Sequence, residues 1–348
     1  MIIKPTIKQH KALELLMNNN GIKTLLYGGS AGGGKSFCGC MWLILMCLKY
    51  PNTKYFVGRQ TLKELRSSTL QSFYKTLQTI ELPKETIKIN GQDNYIEFTN
   101  GSRIDLISCS YLPSDPYYER FGSLEYTSGW IEEGGEIDFE AFDTLKSRIG
   151  RQLNDKYNIE SKILITCNPK KNWLYKEFYK PWSEGLNKNF DFIQSKVTDN
   201  KYIDELYIEN LYNINNEIKR ERLLNGNWEY DNNSNNLCSY DKIDDIFNNN
   251  KITGKKYIVA DIARFGKDTS VITLWEGFHL YNIIQLKNSS ILETAEKIKD
   301  ISISEGISNK NILVDENGIG GGVVDILRCK GFINNSKPLN NENFDHLK

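Results

Sequence analysis

The chain has 348 residues, room for two domains of ordinary size or one large one. Apolar residues make up 39%, charged residues 25%, and the formal net charge is zero. That balance fits a globular protein and argues against a static, high-affinity coat on nucleic acid, yet it leaves room for a motor that grips DNA transiently. From residue 22 onward, apolar strands and amphipathic helices alternate. A strand is expected at 24–27, a helix at 36–49, a strand at 54–58 and a helix near 61–80. Short antiparallel strands follow at 88–89, 95–98 and 103–107, with Asn-Gly at 90–91 and 100–101 supplying turns. A strand at 129–132, a helix at 139–149, a strand at 162–166 and helical segments near 203–213 and 216–224 complete this part. The alternation predicts an α/β domain with a mainly parallel sheet and helices on both faces. Residues 231–255 are polar and Asn-rich and read as a linker. Beyond them, strands at 257–262, 269–275 and 280–286, a helix at 290–304, a strand at 311–315 and a helix at 321–330 predict a second α/β unit.

The most specific motif follows the first strand. Residues 28–36 read Gly-Gly-Ser-Ala-Gly-Gly-Gly-Lys-Ser, and Gly29 to Ser36 fit G-x-x-x-x-G-K-[ST]. A glycine-rich turn points successive backbone N–H groups at phosphate oxygens, and the helix behind it adds a positive N-terminal dipole. Gly29, Ser30, Gly32, Gly33 and Gly34 would form this cradle. Lys35 would reach the β/γ-phosphates, and the Ser36 hydroxyl would ligate Mg²⁺. Hydrolysis also needs a metal-side acid and a base. Trp130-Ile131-Glu132-Glu133 ends an apolar strand in two carboxylates, with Glu132 on the metal side and Glu133 as the catalytic carboxylate.

In the second unit, Asp261 ends the first strand, Asp268 follows seven residues later, and Asp315 ends a later strand before Gly318-Ile319-Gly320-Gly321-Gly322. Carboxylates converging from adjacent strands suit two-metal phosphodiester hydrolysis with Mg²⁺ or Mn²⁺.

With these motifs in their order, the chain resembles the large subunit of a tailed-phage DNA-packaging terminase. Gln9 stands about 20 residues ahead of the phosphate loop, where that family places an adenine-contacting glutamine. Arg120 lies just ahead of the acidic strand, where the family's arginine finger sits. Thr166-Cys167-Asn168-Pro169 ends the next strand like the family's coupling motif, so Asn168 would sense the γ-phosphate. Arg59, ending the second strand, is a further candidate phosphate contact. The resemblance implies a P-loop ATPase domain over residues 1–230, with a small helical lid near 170–230, and a ribonuclease H-like nuclease domain from 256 to 348. Asp261 and Asp315 match that domain's first two metal ligands and Asp268 a supporting acid. The family's third carboxylate comes well after the second. Here 33 residues follow Asp315, and Asp345 is the last acid, so the nuclease domain is expected to be C-terminally incomplete.

The implied activity is ATP-driven translocation of duplex DNA with endonuclease cutting of concatemers, using ATP and Mg²⁺. A portal protein, a small terminase subunit and a homo-oligomeric ring are the implied partners, in the host cytoplasm. Lys170, Lys171 and Trp173 would be candidate DNA contacts, with a solvated basic turn as the plainer alternative. A nucleic-acid-dependent ATPase or helicase without nuclease, a small-molecule kinase and a non-catalytic remnant stay open as alternatives. No secretory signal or membrane span is expected, the longest apolar run (37–48) being too short. The seven cysteines include no C-x-x-C pair and read as reduced, buried thiols.

Overall fold

The computed structural model describes residues 4–112, 114–230, 246, 254–263 and 268–333. The chain divides into two compact units, Met1–Asn233 and Ser234–Lys348. In the first, eight strands form one sheet: β1 (Thr24–Gly29), β2 (Lys54–Arg59), β3 (Ile87–Asn90), β4 (Tyr95–Phe98), β5 (Arg103–Ser108), β6 (Ser128–Glu132), β7 (Ile163–Cys167) and β8 (Phe190–Ser195). Their order is β3-β4-β5-β2-β6-β7-β1-β8. The six strands from β5 to β8 in that order run parallel, and β3 and β4 add an antiparallel edge. All six residues of β1 are buried, as expected for a strand covered on both faces.

Helix α1 (Ile7–Met17) opens with a capping box between Thr6 and Gln9. Helix α2 (Lys35–Lys49) is apolar on nearly every side, with Cys38, Trp42, Leu43 and Ile44 fully buried, so it is a core helix rather than a surface one. Gly39 is required there: a Cβ would stand 2.5 Å from the Trp130 indole of β6. The long helix expected at 61–80 is interrupted by a π-helical turn at Leu65–Thr69 before α3 (Leu70–Thr79). The acidic strand leads to α4 (Phe139–Lys146).

The segment expected as a helical lid also contains a strand. β8 pairs with β1 along its full length, and α5 (Glu205–Tyr212) comes after it. Its sequence, Phe-Asp-Phe-Ile-Gln-Ser, alternates too weakly to announce itself beside the polar residues 184–189.

The second unit contains β9 (Lys256–Asp261), β10 (Thr269–Glu276), β11 (His279–Lys287), α6 (Ile291–Ser304), β12 (Ile312–Asp315), α7 (Gly320–Leu327) and β13 (Lys330–Phe332). The sheet order is β11-β10-β9-β12-β13, antiparallel across the first three and parallel from β9 to β13. Alternate residues Ile258, Ala260, Ile312 and Val314 meet Ala295 and Ile298 of α6 and Val323 and Leu327 of α7 in one core. The expected helix at 321–330 stops at Leu327, and β13 follows it.

Among the described residues no helix is long and apolar enough to cross a membrane. Cys38, Cys40, Cys47, Cys109 and Cys167 are free, buried thiols. Most of the expected linker and Asp345 lie outside the described residues.

Candidate active site

Three neighbouring parallel strands, β6, β7 and β1, deliver the predicted groups to one edge of the first sheet. Glycines 29, 32 and 34 take positive φ between β1 and α2. The Lys35 side chain is buried, and its Nζ donates to the carbonyls of Gly29 (3.3 Å) and Ser30 (2.5 Å) and to Asn168 Oδ1 (3.3 Å). Burial lowers the Lys35 pKa, and the carboxylates of Glu133 and Glu132 oppose that fall. The structure therefore brings Lys35, Asn168, Glu132 and Glu133 into one electrostatic neighbourhood.

Backbone donors sort into two groups. Ser30 N donates to Ser195 O and Ala31 N to Leu223 O, both at 2.8 Å. The N–H groups of Gly32, Gly33, Gly34, Lys35 and Ser36 meet no protein acceptor among the described residues. Ser36 is half-buried in the first turn of α2. A run of unpaired donors at a helix start is the geometry that attracts anions.

Glu132 is 2% exposed and accepts a hydrogen bond from Thr69 Oγ1. Thr69 was not legible as a site residue; the π-helical turn that carries it aims its hydroxyl at the acidic strand. Glu133 is half-buried at φ 51°, a left-handed conformation that a non-glycine residue rarely adopts. Burial raises its pKa; Lys35 lowers it, while Glu132 and Glu136 raise it further. Arg59 reaches two of these acids, with Nη1 3.9 Å from Glu132 and Nε 3.8 Å from Glu136.

Arg120 sits on the loop ahead of β6. Its Nη1 pairs with Asp115 at 2.7 Å and its Nη2 donates to Ser110 O at 2.6 Å, while its guanidinium lies over Tyr118 and Phe121. In this state it is held within its own loop. Gln9 donates from Nε2 to Gly34 O at 2.9 Å and accepts from Thr6 N at 2.9 Å, so both ends of its amide serve the phosphate loop and α1.

The profile of the phage terminase large subunit matches residues 22–225, more than half the chain and the whole of this site's strand framework. The chain belongs to that family. No curated protein matches it in sequence. Among solved structures it is similar to the large terminase from a thermophilic bacteriophage. Identity is 16% and the TM-score 0.53, over 95% of this chain and 82% of that one. The same thermophilic-phage terminase in complex with ADP matches at 16% identity and TM-score 0.52, over 94% of this chain and 82% of that one. At such identities the likeness establishes the fold.

In this family member the turn after Asn168 is tied inward. Lys170 Nζ donates to Gly135 O (2.7 Å), Lys171 pairs with Glu229 (3.0 Å), and Trp173 Nε1 donates to Ile137 O (2.7 Å). Trp173 also stacks on Phe142 of α4. The polar ends of these three residues thus fasten the turn to its neighbours, chiefly the loop after Glu133.

In the second unit, Leu313 stands beside Val259 and Val314 beside Ala260. Asp261 and Asp315 are the residues that follow that last pair, and the alternation along each strand turns both away from the buried Ala260 and Val314. Asp315 also accepts from Asn317 N at 3.0 Å. Asp268 lies one residue before β10, and no group of three metal-binding side chains forms among the described residues.

Proposed function

We propose that this chain is an ATP-hydrolysing DNA-packaging motor subunit whose second unit carries carboxylates of a two-metal endonuclease site. One observation carries the motor reading: a buried lysine, a strand-end asparagine and a paired acid meet at the ends of β1, β7 and β6, beside five N–H donors with no acceptor among the described residues. The triphosphate would replace the loop carbonyls as the partner of Lys35. That exchange would release Asn168, so its turn, fastened to Gly135 and Ile137, would register nucleotide occupancy. A related terminase fold has been solved with ADP, which supports a nucleotide as the ligand.

The donor set fits a nucleotide-bound Mg²⁺. Hard cations take oxygen ligands and rely on phosphates and waters for most of the shell. The Ser36 hydroxyl would hold the ion and the Glu132 carboxylate would support it through water. When bound, the ion supplies charge neutralisation on the phosphates. Glu133 would accept the proton of the attacking water, and Arg120, supplied to a neighbouring subunit in a ring, would neutralise charge at the γ-phosphate. Portal, small subunit and duplex DNA are the proposed partners, in the host cytoplasm. Arg120→Ala should therefore lower hydrolysis on the order of a hundredfold or more in assembled rings and hardly at all in dilute monomers. Equal losses in both states would remove the trans role.

For the second unit, Asp261 and Asp315 fit Mg²⁺ or Mn²⁺ as adjacent carboxylates, while Asp268 would act only in support. Cleavage of supercoiled plasmid with Mn²⁺ tests this directly. Nicking that disappears in Asp261→Ala is the expected outcome; nicking that persists unchanged in the variant would remove Asp261 from the site.

A further inference from the structure

The phosphate loop is gripped by three side chains from two segments, Gln9 and residues 195–200, at sequence separations of 25, 162 and 168 residues. Asn200 Nδ2 donates to Gly32 O at 2.7 Å, Ser195 Oγ to Gly33 O at 2.9 Å, and Gln9 Nε2 to Gly34 O at 2.9 Å. Three consecutive carbonyls are thus each bound by one side chain. Their peptide units carry the N–H groups of Gly33, Gly34 and Lys35, which meet no acceptor among the described residues. The contact is close enough to dictate composition. A Cβ on Gly33 would stand 2.0 Å from Ser195 Oγ, and one on Gly34 2.5 Å from Gln9 Nε2.

Both amides have their orientation fixed from behind. Asn200 Oδ1 accepts Tyr202 N at 3.2 Å, and Gln9 Oε1 accepts Thr6 N at 2.9 Å. With the oxygen committed to an N–H donor, the NH₂ end must face the loop carbonyl. In a planar trans peptide the C=O and N–H point opposite ways, so anchoring each carbonyl fixes the direction of the N–H beside it.

We propose that Ser195, Asn200 and Gln9 are positioning residues for the polyphosphate. They hold the Gly32–Gly34 carbonyls outward and so present the loop's N–H groups as a preorganised anion cradle. The role of Gln9 is then directed at the loop rather than at the adenine base. Preorganisation of this kind raises affinity by removing the ordering cost at binding. The inference rests on the nucleotide-binding reading above and deepens it.

The isosteric changes Gln9→Glu and Asn200→Asp test it best. Each keeps the oxygen that accepts the backbone N–H and replaces the NH₂ donor with an oxygen that opposes a loop carbonyl. Ser195→Ala removes the third donor without adding bulk. Binding of fluorescent ADP to the full chain, and its displacement by ATP or by inorganic tripolyphosphate, would be measured. Each variant should weaken ATP and tripolyphosphate by the same factor, roughly tenfold, equivalent to one hydrogen bond. Asn200→Asp should bind more weakly than Asn200→Ala. Melting temperature without ligand, measured alongside, identifies any variant that has simply lost its fold.

Ser195→Ala and Asn200→Asp that bind tripolyphosphate within twofold of the parent would overturn the proposal. Loss of ATP binding with tripolyphosphate binding spared in Gln9→Glu would return that residue to base recognition and overturn its part here. Lys35→Ala serves as the control: if it too binds and hydrolyses normally, the nucleotide reading itself fails, a different result from failure of the three pins.

Discussion

Lys35→Ala is expected to abolish ATP hydrolysis, with turnover falling on the order of a thousandfold or more. The argument begins with position. The Lys35 Nζ lies within 3.3 Å of two loop carbonyls and of Asn168 and is shielded from water. A cation in such a place acts at reduced dielectric, so its effect on developing phosphate charge exceeds that of a surface lysine. Burial lowers its pKa, and the neighbouring Glu133 and Glu132 favour its charged form. The incoming phosphates add further negative charge, which favours the ammonium. Alanine removes the side chain that joins the loop to the end of β7, so phosphate contact and the Asn168 link vanish together. Phosphate-release kinetics and fluorescent-ADP binding check this, with melting temperature as a guard against unfolding. Unchanged turnover would remove the motor reading altogether.

How much of this was readable beforehand depends on sequence range. The phosphate loop, the acidic strand and Asn168 are local signals. Each needs a strand, a turn and a few residues whose chemistry is dictated by the ligand, so the strands near 24–27, 129–132 and 162–166 are legible from pattern. The elements of the second unit are legible from pattern, whereas their order in the sheet is not. What stayed hidden was non-local. Ser195 and Asn200 matter only because β8 lies next to β1, and no pattern in residues 184–200 declares that neighbour. Thr69 reaches Glu132 only through a π-helical turn, which shifts a helix face by part of a turn and defeats a 3.6-residue reading. Lys170, Lys171 and Trp173 read most plainly as a solvated basic turn, with DNA contact as the bolder alternative. Their partners, Gly135, Glu229 and Ile137, are brought near by the fold alone.

Glu133→Gln should uncouple binding from turnover. Glutamine keeps the shape and can still accept a hydrogen bond, but it cannot take a proton from water. Nucleotide affinity is expected to remain within a few-fold of the parent, while hydrolysis falls on the order of a hundredfold or more. The pH profile gives an independent check. Burial holds the Glu133 carboxyl above its ordinary range, with Lys35 opposing and Glu132 adding to the rise. A base must be ionised, so kcat/KM should fall as pH drops through this raised value, placing the acid limb above that of an ordinary glutamate near pH ~4.3. The same displacement acts on stability with a definite sign. A carboxyl whose folded pKa is raised contributes stability below the unfolded pKa, and that contribution is lost as pH rises through the folded value. Ionised Glu133 is therefore a cost to the fold at neutral pH, compounded by its left-handed backbone. Glu133→Gln should raise the melting temperature of the nucleotide-free protein at pH ~7 and leave it nearly unchanged at pH ~4. A variant that lost activity together with stability at neutral pH would mean that Glu133 serves the fold, and the catalytic carboxylate would have to be sought elsewhere on the same sheet edge.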